Sequence, residues 1–490
     1  MKKFATNEEI FSWIKDLTQW GHRKTGTPEG RKSAEYIKDK FESFGLEDVT
    51  IEKVKCEINE PQKWELKIEN EVIPSYYING TFVSNKPGRN TLGENGIDKE
   101  LIYLGEGWQE DFENIDIRGK IVVCDIRFQN RDDRTRLEQK KSRGNEPYVY
   151  DPEGTMDIPR RRSDIFSPNN WPYNYFRAQV GGAAGFIGIL ADYFDSCEYY
   201  NENYLEFSGE FGIDSMNIPG LWVSRSTGKQ IKSMIHEGAL TANIIMDTIS
   251  SEKEARNVSG ILPGVSNEII LVHSHHDAVY EGAVQDGSGT SEVIALAQYF
   301  SQFGKEERQK TLMFAATDTH YESYVGHEAF IEQRKKNNQD IILDVSIEHI
   351  GKEVELDENN NAALTGYTDL RNLYVSGSEI LMEITINEVE KNQLTRSMIN
   401  YVPAVKTRVR PDDHEFSPDE IISDAYPFHQ AGTGVISVVS PQMYIFHPSD
   451  KPDMVAVDDL QKVGLTFAGI INKAMQLSKK QMGVIGLIDS

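Results

Sequence analysis

The sequence predicts an α/β protein carrying a second, β-rich module, and three observations support this. From about residue 249 onward, short apolar runs alternate with amphipathic stretches, the rhythm of strands and helices in an α/β sheet. Between about 63 and 248 the apolar runs crowd closer together and glycines punctuate them, as in a compact β-rich unit. At 490 residues the chain exceeds what one hydrophobic core usually organises, so more than one domain is expected.

Residues 7 to 45 read as two helices. Thr6 is placed to cap the first, and Ile10, Trp13, Ile14 and Leu17 recur at helical spacing to form its apolar stripe. The second carries Ala34, Ile37, Phe41 and Phe44 inward and stops at Gly45. A strand over 48–58 follows. In the middle module, 100–128 reads as two strands joined by a polar turn, 176–190 as a helix running into a strand, and 216–238 as a strand and a Ser/Thr-capped helix with a glycine stop. Within it, residues 129–175 form a long polar stretch containing Arg-Asp-Asp-Arg and Arg-Arg-Arg runs. A loop of this length is usually functional or disordered. Three readings stand open: it pairs with another subunit, it covers an anionic substrate, or it is a solvated excursion. Beyond 249 the apolar runs 268–273, 311–317, 341–347 and 434–439 read as strands. The helix over 291–303 puts Val293, Ile294, Ala297 and Phe300 on one face, and an amphipathic helix at 465–477 closes the fold.

Composition excludes several classes. The formal charge of −25 argues against nucleic acid and anionic membrane surfaces, both of which attract Lys/Arg patches. The opening segment lacks the apolar core of about 7–15 residues of a secretory signal. No window approaches the ~18 apolar residues of a membrane span. Cys56, Cys124 and Cys197 are scattered without CxxC spacing, which suits a reducing cytoplasm and disfavours a cysteine metal site.

The chemistry gathers in Leu-Val-His-Ser-His-His-Asp, 271–277, at the carboxyl end of a β-branched-rich run, where open α/β sheets place their ligand sites. Strand alternation puts His273, His275 and Asp277 on one face. Asp277 is spaced to hold the His275 imidazole in one tautomer while its other nitrogen binds metal. Asp286 lies in a glycine-rich turn opening a helix that Ser288 or Thr290 can cap, where the partial positive charge favours an ionised carboxylate. Each residue alone has a structural reading as well: His273 as a packed strand residue, Asp286 as a turn or cap, Asp318 as a strand-end cap, His414 as an exposed loop residue.

Jointly, the stretches 257–279, 282–300, Gly326–Ile331, Ile347–Gly351 and the tail 423–455 closely resemble the M28 family of metallopeptidases. The resemblance extends over 7–55, and 63–248 is similar to the protease-associated (PA) domain that many members insert. It implies a three-layer αβα sandwich on a mixed sheet formed by 1–62 and 249–490, with 63–248 as an inserted PA-like domain. It also implies a pair of divalent metals, usually zinc. Carried over residue by residue, His275 and Glu348 match ligands of the first metal, Asp286 the bridging carboxylate, His447 a ligand of the second metal, and Asp277 the carboxylate supporting His275. Glu348 stands where the family usually has Asp, and zinc accepts either. The chain departs from the family at Asp-Thr-His-Tyr-Glu-Ser, 318–323, where two adjacent glutamates are replaced by His320 and Tyr321. His320 suits a general base near neutral pH, or a ligand. Tyr321 is a poor zinc ligand unless deprotonated.

The reading that follows is a cytoplasmic metal-dependent hydrolase of a peptide or amide C–N bond with one or two ions, most simply Zn2+, with Fe2+ and Mn2+ as alternatives. It is expected to act on a peptide or small amide and to have no nucleic-acid or membrane partner; self-association is left open. The catalytic candidates are His320, Asp277 and Tyr321. Two alternatives differ in class: a non-catalytic binding protein on the same fold, and a cyclase-like acyl transfer without hydrolysis.

Overall fold

In the computed structural model, residues 2–83, 87–142, 146–202, 208–209, 211–238, 240–405 and 421–484 are described. The two amino-terminal helices form as the periodicity predicts. Asn7–Thr18 is capped by Thr6, whose hydroxyl accepts from Glu9 N at 3.2 Å, and it buries Ile10, Trp13, Ile14 and Leu17. Pro28–Ser43 is capped by Thr27 and buries Ala34, Ile37 and Phe41. Gly45 ends it at a φ of 77°, a left-handed conformation that glycine adopts without strain.

The chain then enters a 22-residue strand, Glu47–Ile68, which pairs antiparallel with an equally long strand, Thr241–Leu262. The expected domain boundaries near 62/63 and 248/249 fall inside this ribbon rather than in linkers. A register shift between Pro61 and Lys63 marks the place, because proline has no N–H to give to the ladder. One sheet of 16 strands results. On one side of Thr241–Leu262 lie Ile97–Tyr103, Ile121–Ile126, Gly185–Leu190, Gly220–Ser224 and Tyr76–Tyr77, all from the middle module. On the other side the order is Lys310–Thr317, Ser266–His275, Ile341–Ile347, Gly434–Val439, Arg371–Ser376, Ser397–Val402 and Tyr148–Tyr150. Ser266–His275 lies between two parallel neighbours, whereas Gly434–Val439 and Arg371–Ser376 run antiparallel, so the sheet is mixed. The helices Gly289–Ser301 and Leu460–Ala474 bury their apolar faces, including Val293, Ile294, Ala297 and Phe300.

The long polar stretch is not a solvated excursion. It contains the helix Asp133–Ser142 and the strands Tyr148–Tyr150 and Ser163–Pro168. Tyr148–Tyr150 pairs with Ser397–Val402 at the outer edge of the sheet. Among the described residues, its arginines other than Arg161 meet the chain's own carboxylates. Arg162 reaches Asp133 at 3.1 Å, Glu353 at 3.3 Å and Asp369 at 2.7 Å, and Arg160 reaches Glu353 at 3.4 Å. Arg161 donates to the Asp357 carbonyl and to Asn360. Arg396 joins the same buried cluster from the core side. Burying these arginines is tolerable because carboxylates meet them at hydrogen-bonding distance.

Among the described residues no helix is long and apolar enough to cross a membrane.

Candidate metal centre

The site forms where Ser266–His275, Lys310–Thr317 and Ile341–Ile347 end side by side. His273 and His275, two residues apart on an extended strand, leave the sheet on the same face. Both are fully buried, as are Asp277 and Asp286. His275 Nδ1 lies 3.0 Å from the Asp277 carbonyl oxygen and 3.3 Å from its carboxylate, while its Nε2 has no partner. The Asp277 carbonyl fixes the tautomer, its carboxylate stands alongside, and the far nitrogen is left for a metal. Burial works to raise the Asp277 pKa, but the His275 hydrogen bond and neighbouring imidazoles hold it below the usual range. His276 points elsewhere, with Nε2 at 2.8 Å from the Arg256 carbonyl.

Arg23 braces the loop that follows. It is buried and donates to the carbonyls of His276 at 2.8 Å, Glu281 at 2.6 Å and Gly282 at 2.9 Å. Asp450 then accepts from Val284 N at 2.8 Å and Gln285 N at 3.0 Å. Burial pushes its pKa up to about 7. Between them these groups fix the turn that carries Gln285 and Asp286.

Asp286, expected as the bridging carboxylate, is held by three donors. The Asp286 carboxylate is engaged by the Ser274 hydroxyl, by Gly289 N at 3.3 Å and by His349 N at 3.1 Å. Ser288 stands at the N-cap of Gly289–Ser301 without a side-chain cap bond, and it is Asp286 that receives the first helical N–H. The hydroxyls of Ser288 and Thr290, expected as caps, instead donate to the carbonyls of Val284 and His275. Gly289 is required beside it, since a Cβ there would lie 2.0 Å from the Ile347 carbonyl oxygen. Burial raises the Asp286 pKa to about 6. The side chain that enters the site is Gln285, whose Nε2 lies 3.3 Å from His320 Nε2. Adjacent residues in one turn aim differently, which residue spacing alone does not reveal.

His320 stacks on His275, with ring centroids 4.1 Å apart and planes 13° apart. Its Nδ1 lies 2.7 Å from Asp424 Oδ1, and its Nε2 faces Gln285 and, at 3.5 Å, Glu202. Burial opposes protonation of His320, yet the Asp424 and Glu202 carboxylates hold its pKa well above the ordinary histidine value. Asp424 is the residue that motif reading missed. It is fully buried, and its second oxygen lies 3.1 Å from His327 Nε2. The available signal was a Ser-Asp pair just before the short helix Tyr426–Gln430. His275, His320 and Asp424 bring one ligand atom each to within 4.8 Å of one another.

The remaining expected residues spread around this group. Glu348 follows the strand Ile341–Ile347, and its Oε1 accepts from Ser346 Oγ and Asp424 N, both at 3.0 Å. Burial and the neighbouring Asp424 and Asp286 carboxylates raise its pKa well above the ordinary value. His447 belongs to none of the ligand groups among the described residues. Its ring packs against Phe194 at 5.0 Å and Tyr193 at 5.9 Å, its Nδ1 meets Ser449 Oγ at 2.8 Å, and burial lowers its pKa to about 4. The Tyr321 ring stands 4.9 Å from His320, and its buried hydroxyl has no partner. Burial, with Asp277 and Asp450 nearby, keeps that phenol protonated, so it is a donor and not a tyrosinate ligand. Asp318 is a cap, accepting from Thr25 Oγ1 at 2.6 Å and Arg256 N at 2.8 Å. His414 lies outside the described residues.

A cavity of about 230 Å3 opens on the far side of Tyr321, lined among others by Lys24, Trp64, Tyr76, Tyr77, Tyr200 and Glu322. Tyr321 therefore stands between this cavity and the histidines.

Comparison with known proteins places these features in context. Residues 257–471 match the sequence model of Peptidase family M28. A solved zinc aminopeptidase from Bacillus subtilis superposes with a TM-score of 0.65 at 18% identity, covering 99% of this chain and 98% of that one. A Peptidase M28 precursor from Shewanella amazonensis gives a TM-score of 0.65 at 14% identity, covering 98% and 95%. An aminopeptidase from an Aneurinibacillus species gives 0.59 at 17% identity, covering 96% and 93%. No curated protein matches the sequence. The solved structures share the fold along nearly the whole chain, and the family match spans the stretch that carries His275, Gln285, His320, Tyr321, Glu348 and Asp424. Residues 257–471 thus match peptidase family M28, and the chain is a hydrolytic enzyme of the metallopeptidase class.

Proposed function

We propose that the protein hydrolyses a peptide or small amide C–N bond at a rebuilt centre in which His275, His320 and Asp424 hold a divalent metal, most simply Zn2+. The observation that carries this reading is the convergence of those three side chains within 4.8 Å, one of them with its buried Nε2 unpartnered. Two imidazoles and a carboxylate are the donor types zinc takes in hydrolytic sites. When bound, such an ion polarises the substrate carbonyl and lowers the pKa of water.

The chain's own residues supply the rest. Asp277 orients His275. Glu348 accepts the Asp424 backbone N–H and so positions Asp424 in the metal group. Gln285, next to the Asp286 expected to bridge, turns a neutral amide toward His320, and an amide does not bridge two ions as a carboxylate would. The neutral hydroxyl of Tyr321 is suited to donate to the carbonyl oxygen as it gains negative charge. Substrate reaches this point from the aromatic cavity, so Tyr321 must shift its ring to admit it. Residues 63–248 are proposed as a PA-like insert, because Tyr76, Tyr77 and Tyr200 supply cavity wall from that segment. The three unpaired cysteines support a reducing compartment, the cytoplasm.

The test is hydrolysis by the full chain, reconstituted with Zn2+, of a peptide library with free and acetylated amino termini, followed by mass spectrometry. Release of amino-terminal residues from free peptides, abolished by chelation, is expected. Metal binding without turnover of any peptide or small amide would replace this reading with a binding protein on the same fold. A product lacking incorporated water would replace it with acyl transfer.

A further inference from the structure

We infer that the protein holds a second divalent metal ion, deeper in the sheet, on His273, His327 and Asp424. This rests on the assignment of His275, His320 and Asp424 as the first site, because Asp424 is common to both. His273, His327 and Asp424 each bring a ligand atom to within 4.8 Å of the others, and all three are fully buried.

The two groups repeat one pattern. In the first, the Asp277 carbonyl meets His275 Nδ1 at 3.0 Å, with its carboxylate at 3.3 Å, and Nε2 is unpartnered. In the second, Asp344 Oδ1 lies 2.7 Å from His273 Nδ1 and again Nε2 is left unpartnered. An oxygen acceptor, carbonyl or carboxylate, on one imidazole nitrogen and a bare lone pair on the other is the usual setting of a metal-binding histidine. Asp424 presents Oδ1 to His320 at 2.7 Å and Oδ2 to His327 at 3.1 Å, so one carboxylate faces both groups. His327 Nε2 also lies 2.8 Å from Thr317 Oγ1, but that hydroxyl has the Ser274 carbonyl as a second acceptor at 3.3 Å. His273 is backed by the Phe428 ring at 4.8 Å, which excludes water from its outer side.

Charge points the same way. Asp344, Asp424, Glu348, Asp286 and Asp277 are all buried, and the cationic groups near them are imidazoles together with the Arg23 guanidinium, which faces Asp277 and Asp286 and not Asp344 or Asp424. Buried carboxylates at this density call for compensation by cations, and a pair of dications would supply it. Gln285 turns a neutral amide toward His320, while Asp424 offers one two-sided carboxylate on the opposite wall.

The full chain is stripped with chelator, titrated with Co2+ under calorimetry and visible absorption, and its bound metal counted by elemental analysis. Two equivalents are expected in wild type. His273→Gln combined with Asp344→Asn, which keeps a neutral hydrogen-bonding pair in place of the dyad, should bind one. His275→Gln added to that variant should bind none. Circular dichroism and melting of the metal-free forms establish that each variant folds. One equivalent in both wild type and the double variant, lost on His275→Gln, overturns the second site and leaves the first standing. No Co2+ or Zn2+ bound by folded wild type overturns both.

Discussion

At the scale of single residues, the centre shows how a change of type alters what a position can do. A glutamate at 321 would offer a ligand, whereas Tyr321 offers a buried phenol that burial keeps protonated. Its use is then as a hydrogen-bond donor, and Tyr321→Phe should leave the fold and metal content unchanged. Loss of one such donor typically lowers kcat by about 10²–10³ with little change in KM. Steady-state kinetics on the best substrate of the library checks this, and an unaltered kcat would remove Tyr321 from the chemistry. His320 and Asp424 form a pair whose meaning lies in contact: neither is informative alone, and they are 104 positions apart in sequence. Asp286 shows the reverse. Its sequence context suits a ligand, yet its carboxylate is spent on Ser274 and two backbone N–H groups.

At the scale of elements, the segment 131–168 owes its order to ion pairs more than to apolar burial. The helix Asp133–Ser142 buries only Asp133, so no amphipathic stripe marks it in the sequence. Arg162, 2% exposed, meets Asp133, Glu353 and Asp369, and Arg396 meets Asp133 and Glu353. Removing one partner of a buried ionic group leaves the rest uncompensated, at a cost of about 3–5 kcal/mol. Arg162→Met should therefore destabilise the protein by that order in urea. Hydrogen exchange should rise first in Tyr148–Tyr150, whose edge pairing depends on the segment. A variant as stable as wild type, with protected Tyr148–Tyr150 amides, would show that apolar contacts hold it instead.

At the scale of the whole molecule, the same cluster couples stability to pH. Burial raises the Asp133 carboxyl to about 6, with Arg162 and Arg396 opposing and Asp369 and Glu353 reinforcing. The folded state thus binds a proton more tightly than the unfolded chain, where an aspartate titrates near 3.9. Its contribution is full below about pH 4 and is lost as pH rises through about 6, on the order of 3 kcal/mol. Asp133→Asn does not titrate. The stability of the variant relative to wild type should therefore become more favourable between pH 5 and pH 7, whatever the offset at either pH. Parallel stability–pH curves from denaturant melts would mean that the cluster does not titrate in this range.

The sequence by itself determined the strands and helices whose burial is periodic. Ile10, Trp13, Ile14 and Leu17, the four apolar runs after 249 and the helix with Val293 and Phe300 were all legible, because one-sided burial writes a period of about 3.6 or 2 into the residues. It also carried the match of residues 257–471 to peptidase family M28, through motifs whose spacing survives there. Only the tertiary structure decided which polar side chains meet. It joined the module of 63–248 to the core by one continuous ribbon, folded the arginine-rich stretch onto the chain's own acids, and turned Asp286 inward while Gln285 faces the site. It also drew His275, His320 and Asp424 together from three separate elements. The physical reason is that a metal ligand or a buried ion pair requires only a matching partner in space, and a lone polar residue leaves no periodic trace of where that partner stands.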